Sequence, residues 1–336
     1  MTRLRVGACL SLSGRYARFG RQAAVGLQAW QSLTDRSVEL VLEDDGSDPD
    51  RLAARLVTLP PRCDLLLGPY STQLMRAAGH ALADLDTVLW NHGGSGDDVQ
   101  AICPGRVVSV LAPTSRYAEP FVTSRARESE RAPLWVVHGR GRFGRQVAAG
   151  AVRLATELGI EALQRTTEEV SSFAEAPDRW DLFSVGTFED DVAIVRAAQS
   201  AARPARALCS IAAGVRDFAS MVDEPDGIYG IAQWFRGRSP APKVGPPEER
   251  FVAAYSRRAD AAPDYPAVQA GAAAAIAAHC ADRAGSLDAS ELWDAATSLR
   301  TTTLLGEFGI DAETGMQIEH APVLLRWQDD QLRLAA

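Results

Sequence analysis

The residues of this chain that could do chemistry are few, and they seldom stand at the spacings that chemistry needs. The histidines, His80, His92, His138, His279 and His320, lie at no ligand spacing from one another or from a cysteine, which argues against zinc. No Gly-x-Ser-x-Gly nucleophile elbow and no Gly-rich loop ending in Gly-Lys-Ser/Thr occurs. Glu43-Asp44-Asp45 gathers carboxylates, but it runs straight into Gly46-Ser47-Asp48-Pro49 and reads as solvated turn residues, not as a metal site or general acid. Gly139-Arg140-Gly141-Arg142-Phe143-Gly144 has the spacing of a dinucleotide-binding turn between a strand and a helix. One reading is therefore an NAD-dependent oxidoreductase, with Glu168 or Glu169 as the acid that holds the ribose. Arginines fill the variable positions, however, and the matching turn at 13–20 lacks the glycines, so a Gly-rich turn ahead of a helix is the preferred reading. No catalytic residue, metal ligand or cofactor is assigned.

One segment reads as a binding site. In Leu67-Gly68-Pro69-Tyr70-Ser71-Thr72 an apolar strand ends in Gly-Pro and passes through two hydroxyl residues into a helix. A helix start offers unpaired N–H groups and partial positive charge, and a hydroxyl adds a donor. Together they hold a carboxylate or carbonyl oxygen without a full positive charge. On the residues alone, Ser71 or Thr72 serves equally well as a plain helix N-cap. The next strand ends in Leu89-Trp90-Asn91-His92-Gly93-Gly94-Ser95, again small and polar, with glycines that let a ligand approach the backbone.

The elements that must position these residues follow from periodicity. Short apolar runs alternate with helical patterns, the signature of βαβ units and parallel sheets. Strands are expected at 5–10, 38–42, 64–67, 87–90 and 106–111, with helices at 20–33, 49–59 and 72–83 between them. The pattern restarts: strands at 134–138, 162–167, 181–185, 207–211 and 227–231, helices at 145–158, 190–202 and 215–221. Helices at 248–258 and 267–284 and a β segment through Phe308 and 323–327 close the chain. An internal echo links the halves. Arg18-Phe19-Gly20-Arg21-Gln22-Ala23-Ala24-Val25-Gly26 matches Arg142-Phe143-Gly144-Arg145-Gln146-Val147-Ala148-Ala149-Gly150. Two related α/β lobes are therefore expected, with ligands held outside the carboxyl ends of the strands.

Composition narrows the partners. A length of 336 residues exceeds a single core of roughly 100–200. The net charge of −8 speaks against nucleic acid or an anionic membrane as partner. No apolar stretch approaches the roughly 20 residues of a membrane span. No two of the cysteines stand at Cys-x-x-Cys spacing. No leader is visible after Met1, so the chain as written reads as cytoplasmic, and as periplasmic if a leader has been removed.

Taken together, these segments resemble the type I periplasmic binding proteins of branched-chain amino acid ABC transporters, a family that includes the cytoplasmic amide sensors of amidase operons. The resemblance rests on Val6–Gly20, Leu40–Pro49, Leu67–Thr72, Phe143-Gly144-Arg145, Asp311–Gly315 and Val323–Trp327. It implies an α/β fold of two doubly wound parallel-sheet lobes joined by a three-stranded hinge. The implied lobes are 1–118 with 240–318 and 119–239 with 319–336, with crossings near 117–121, 235–247 and 315–322. It also implies a solute-binding function, with Thr72 and Ser71, Gly93 and Ser95 gripping a ligand carboxylate. Tyr16, Phe19, Tyr70, Phe143 and Phe188 would line the cleft. Amino acid binders of this family carry an acid after the third strand of the second lobe, to pair with the ligand ammonium. Here that stretch is Cys209-Ser210-Ile211-Ala212-Ala213-Gly214, without an acid, and Glu189 and Asp190 stand where helix capping is the first expectation. A buried ammonium without a counter-charge is costly. A carboxylate- or amide-bearing ligand without an ammonium fits better. The partner implied downstream is an ABC permease or, for a sensor, a regulatory protein.

Overall fold

The structure, a computed structural model, describes residues 3–170 and 172–335. The chain divides into two compact units, Met1–Pro113 with Trp234–His320 and Thr114–Gln233 with Ala321–Ala336. It therefore crosses between them at 113/114, 233/234 and 320/321.

The first unit begins β1 (Leu4–Leu10), α1 (Ala17–Gln31), β2 (Val38–Asp44), α2 (Pro49–Leu56), β3 (Leu65–Leu67), α3 (Thr72–Ala81), β4 (Leu89–Asn91) and β5 (Val107–Ser109). Its strands are parallel, in the order β2-β1-β3-β4-β5. Apolar residues alternate between the two faces, as a sheet covered on both sides requires. Leu66 and Leu89 pack with Leu52, Leu56, Leu74 and Met75 of α2 and α3. α2 starts where the sequence signals it, with the Asp48 carboxylate accepting from the Arg51 N–H at 2.8 Å and Pro49 in the first turn.

The second unit holds α4 (Glu119–Ala126), β6 (Leu134–His138), α5 (Arg142–Glu157), β7 (Ala162–Thr166), β8 (Asp181–Val185), α6 (Phe188–Gln199), β9 (Ala207–Ser210) and β10 (Tyr229–Ala232). The chain then returns to the first unit as α7 (Glu248–Ala259), α8 (Tyr265–Ala284), α9 (Ala289–Thr297) and the hairpin β11 (Thr301–Thr303) and β12 (Gly306–Phe308). α8 packs on α1 and against β3 and β4. Finally β13 (Val323–Gln328) and β14 (Gln331–Leu334) join the second sheet, whose order is β14-β13-β10-β9-β8-β6-β7. The β7-to-β10 part is parallel and repeats the first unit's order, while β13 and β14 are antiparallel additions.

The sequence echo has a packing cause. A Cβ on Gly20 would lie 2.0 Å from the Ser11 carbonyl oxygen, and one on Gly144 would lie 2.9 Å from that of Gly139. One on Gly26 would meet the Ala267 carbonyl at 2.2 Å, and one on Gly150 the Ser115 carbonyl at 2.3 Å. In both units the first glycine thus lets the helix start close on its strand end, and the second lets another segment cross the helix. Elsewhere the structure departs from the expectations. α4, α9, β11 and β14 carry no clear periodic signal, whereas β12 includes the expected β position Phe308. The segment expected as a helix at 215–221 is a tighter 3-10 turn, Arg216–Met221.

Candidate functional site

In sheets of this strand order, ligands bind beyond the strand carboxyl ends, where the order reverses between the first and third strands. In the first unit those are the ends of β1 and β3, with β4 beside them.

Beyond β1 and β2, two carboxylates build the turn. Asp44 Oδ1 accepts from the N–H groups of Leu12 at 2.9 Å and Ser13 at 3.1 Å, and its Oδ2 from Ser13 Oγ at 2.7 Å. Burial opposes its charge, but the hydrogen bonds from Ser13, Gly46 and Leu12 outweigh burial and hold its pKa below the ordinary value. Asp45 is wholly buried, and its Oδ1 accepts from Ser11 Oγ and the Ser47 N–H, both at 2.7 Å. Burial raises its pKa. The expectation of solvated turn residues thus fails for Asp45, whose neighbours beyond β1 enclose it.

Beyond β3, Ser71 is the N-cap of α3, its Oγ accepting from the Leu74 N–H at 3.2 Å. Its φ of 91° lies in the left-handed region that a serine rarely enters. The Ser71 N–H, donating to the Gly93 carbonyl at 3.0 Å, holds it there. Thr72 is buried, and its Oγ1 accepts from the Gly96 N–H at 3.1 Å. Beyond β4, Asn91 is the hub. Its Oδ1 accepts from Gly93 N at 3.1 Å and Gly94 N at 2.8 Å, while its Nδ2 donates to the Gly94 carbonyl at 2.6 Å and Ser109 Oγ at 2.8 Å. Gly93 therefore has its N–H and its carbonyl both engaged inside the unit. Its role here is close approach, since a Cβ would stand 2.6 Å from the Tyr70 Cα.

Beside these hydrogen-bonded groups a few donors stay open. The N–H groups of Thr72 and Gln73 and the hydroxyl of Ser95 make no hydrogen bond among the described residues. The first turn of α3 holds no acid, so its positive end is not neutralised. Aromatic rings flank it. Phe19 stacks on Tyr70 with centroids 4.6 Å apart, and the Tyr70 hydroxyl meets that of Tyr265 at 3.3 Å. Tyr16 is joined to the β2–α2 turn through its N–H, which donates to Ser47 Oγ at 3.0 Å. Of the residues singled out in the sequence, Phe19, Tyr70, Ser71, Thr72 and Gly93 are thus linked directly, with Ser95 one residue from the Gly96–Thr72 bond.

In the second unit, Phe143 opens α5 and meets Tyr117 edge-on at 5.6 Å, and Phe188 is the first residue of α6, largely buried. The Gly139–Gly144 turn needs its glycines for packing, since a Cβ on Gly144 would crowd the Gly139 and Val185 carbonyls. Arg140 pairs with Glu168, one of the two acids considered for a ribose. Thr187 and Asp190 form a capping box at the start of α6, which accounts for Asp190. The acid that sequence reasoning missed is Asp191. It is buried, and accepts from Ser184 Oγ at 2.7 Å and from the Ala212 N–H after β9 at 3.0 Å. Burial pushes its pKa up to about 6, against the lowering effect of those hydrogen bonds. Its signal was position, because it lies on the same helix face as Phe188, Val192 and Val195. Among the described residues no group of three or more His, Cys, Asp or Glu side chains is placed to hold a metal ion.

The profile of the family described as periplasmic binding protein matches residues 3–331. The chain belongs to that family. Solved structures share its fold along nearly the whole length. A leucine binding protein from Thermotoga maritima superposes with a TM-score of 0.83 at 15% identity, covering 99% of this chain and 98% of its own. A branched-chain amino acid transporter substrate binding protein from Streptococcus pneumoniae, in complex with isoleucine, gives 0.79 at 13%, with 99% of each chain covered. A solute binding protein of an ABC transporter from Rhodopseudomonas palustris BisB5, in complex with 3,4-dihydroxybenzoic acid, gives 0.80 at 15%, covering 99% and 95%. No curated protein matches the chain in sequence. As a periplasmic binding protein, the chain has the type I architecture of two parallel-sheet lobes, and its role is to bind a solute.

Proposed function

We propose that this protein is the substrate-binding component of an ABC transporter and closes its two units on a small organic carboxylate or amide without a paired ammonium. The units act as the lobes, and the three chain crossings act as the hinge. The observation that carries this reading is the open start of α3. A strained Ser71 holds the first turn so that the Thr72 and Gln73 amides, with the Ser95 hydroxyl, stay unpaired while Asn91, Gly93 and the Thr72 hydroxyl are engaged around them. Such a set of donors suits a carboxylate or amide oxygen. The corresponding helix start of the second unit is capped at the same two N–H groups, by Thr187 and Asp190, but carries Glu189, Asp190 and Asp191, which repel an anion. The ligand's oxygen end therefore belongs with the first unit. Asp190 is engaged in the capping box and Asp191 is buried against Ser184 and Ala212, so neither is open to an ammonium. The rings of Tyr16, Phe19 and Tyr70 from the first unit, and Phe143 and Phe188 from the second, favour a flat or aromatic body. Gly93 supports the pocket by admitting Tyr70 at close range. The ligand is held and released unchanged.

The test is a thermal-shift screen against amino acids, aliphatic amides and aromatic carboxylic acids, followed by calorimetry on the best ligand. Thr72→Ala combined with Ser95→Ala weakens binding at least about tenfold, some 1.4 kcal/mol, while the fold survives. Undiminished affinity in that double variant removes the site. Preference for a plain α-amino acid over its deaminated analogue removes the ligand class and leaves the site.

A further inference from the structure

A second polar layer lies in the first unit, on the side of the sheet away from α2 and α3. Leu66 and Leu89 face α2 and α3, so by strand alternation Leu67, Trp90 and His92 project from the opposite face, against which α8 packs. Trp90 and His92 are fully buried, and Gln269 of α8 is 1% exposed. Trp90 Nε1 and both polar atoms of the Gln269 amide reach hydrogen-bond geometry with no described residue, and the His92 ring has only loose contacts with the Gly68 backbone and its own. Gln269 stands one turn beyond Tyr265, whose hydroxyl meets that of Tyr70, and His92 lies beside Pro69 in the continued β3–β4 register. Trp90 on β4 and His92 just after it thus lead into the loop carrying Gly93 and Ser95, on the face of the sheet that α8 covers. Native proteins rarely leave so many buried polar atoms unsatisfied, because each forfeits its hydration for nothing.

The chemistry of the set points to its occupant. The indole offers one donor and no acceptor, while the amide offers two donors and an acceptor. Burial pushes the pKa of His92 down to about 4, against the raising effect of the nearby Gly68 and its own backbone, so at neutral pH its ring adds one donor and one acceptor. A charged or large guest would need a counter-charge or an opening, and neither is present in these side chains. A water molecule, which donates twice and accepts twice, matches a mixed set of this kind.

We propose that Trp90, His92 and Gln269 bind internal water between β4 and α8, and that this water sets the height of the Gly93–Ser95 loop. The proposal is independent of the ligand-binding reading and is tested on the ligand-free protein. An atomic-resolution crystal structure is expected to show ordered water within hydrogen-bond distance of at least two of the three side chains. Gln269→Met, which keeps the shape and removes the amide, is expected to lower Tm by about 2–4 °C, because it strips the water of a partner. A dry layer in the wild-type crystal overturns the proposal. So does an unchanged or raised Tm in Gln269→Met, since replacing an unpaired buried amide by an apolar group relieves a cost instead of creating one.

Discussion

The two units share a plan and differ in the charge of their strand ends. The orders β2-β1-β3-β4-β5 and β7-β6-β8-β9-β10 are the same path, and the paired glycines of α1 and α5 perform the same close packing in each. In both, the loop after the fourth strand is tied to the first turn of the helix before it. The first unit ties it with neutral groups, through the Gly96–Thr72 bond and the amide of Asn91. The second uses a buried carboxylate, through the Ala212–Asp191 bond. Shape, then, is preserved by backbone approach and chemistry by the loop side chains. One architecture presents an acid-free helix start in one unit and an acid-rich one in the other.

The sharpest way to break the comparison is to fill the shared glycines. Gly26→Ala and Gly150→Ala would each drive a methyl into a backbone carbonyl, so each is expected to destabilise its unit by about 3 kcal/mol in urea unfolding. Gly144→Ala, with its nearest contact at 2.9 Å, is expected to cost less. If Gly150→Ala is tolerated and Gly26→Ala is not, the equivalence of the two helices is only a sequence resemblance.

Acid separates the units in opposite directions. His92 in the first has its pKa lowered to about 4, so below the ordinary value of 6.5 the unfolded chain takes up a proton that the native unit refuses. That unit loses stability as pH falls from 6.5 toward about 4. Asp191 in the second has its pKa raised from 3.8 to about 6, so the native unit keeps a proton that the unfolded chain releases. The second unit therefore gains stability as pH falls from about 6 toward 3.8. Each effect is of the order of 3 kcal/mol, a little over two pH units at about 1.4 kcal/mol each. The raised pKa of Asp45 offsets part of the loss in the first unit. Amide hydrogen exchange should show protection diverging between the units across this range. His92→Phe should flatten the response of the first unit alone, and Asp191→Asn that of the second. Parallel pH responses would sink the assignment of these two groups.

The smallest expected difference is at the helix caps. Thr187→Ala removes one half of the capping box and should cost about 1 kcal/mol in thermal unfolding. Ser71→Gly loses a cap but relieves a left-handed φ, so it should change stability by only a few tenths of a kcal/mol or raise it. Ser71→Ala keeps the strain and loses the cap, and should fall below both wild type and Ser71→Gly.

Much of this was legible in the residues. The strand runs, the start of α2 at Asp48-Pro49 and the Phe-Gly echo all rest on local signals, periodicity and small-residue spacing. Ser71 as a helix opener was legible too, but not its left-handed φ, which the Gly93 carbonyl imposes from another strand. Asp45 and Asp191 were misjudged or missed for the same reason. An acid in a turn or a helix start looks solvated until the neighbouring strand ends close over it, and burial is a property of the assembled unit. α4 and α9 escaped notice because helices of 8 and 9 residues span too few turns to establish a periodic pattern.

The path of the chain has a bearing on its synthesis. A ribosome delivers β10 long before β13, the strand that pairs with it, because residues 234–320 of the first unit come between them. Until then the β10 edge of the nascent sheet is a bare row of peptide groups, open to strands from other molecules. In the same interval α1 waits for α8 to cover it. The second sheet cannot finish until the last segment of the first unit has been made, so translation of the last hundred residues is when this molecule is most in need of a chaperone.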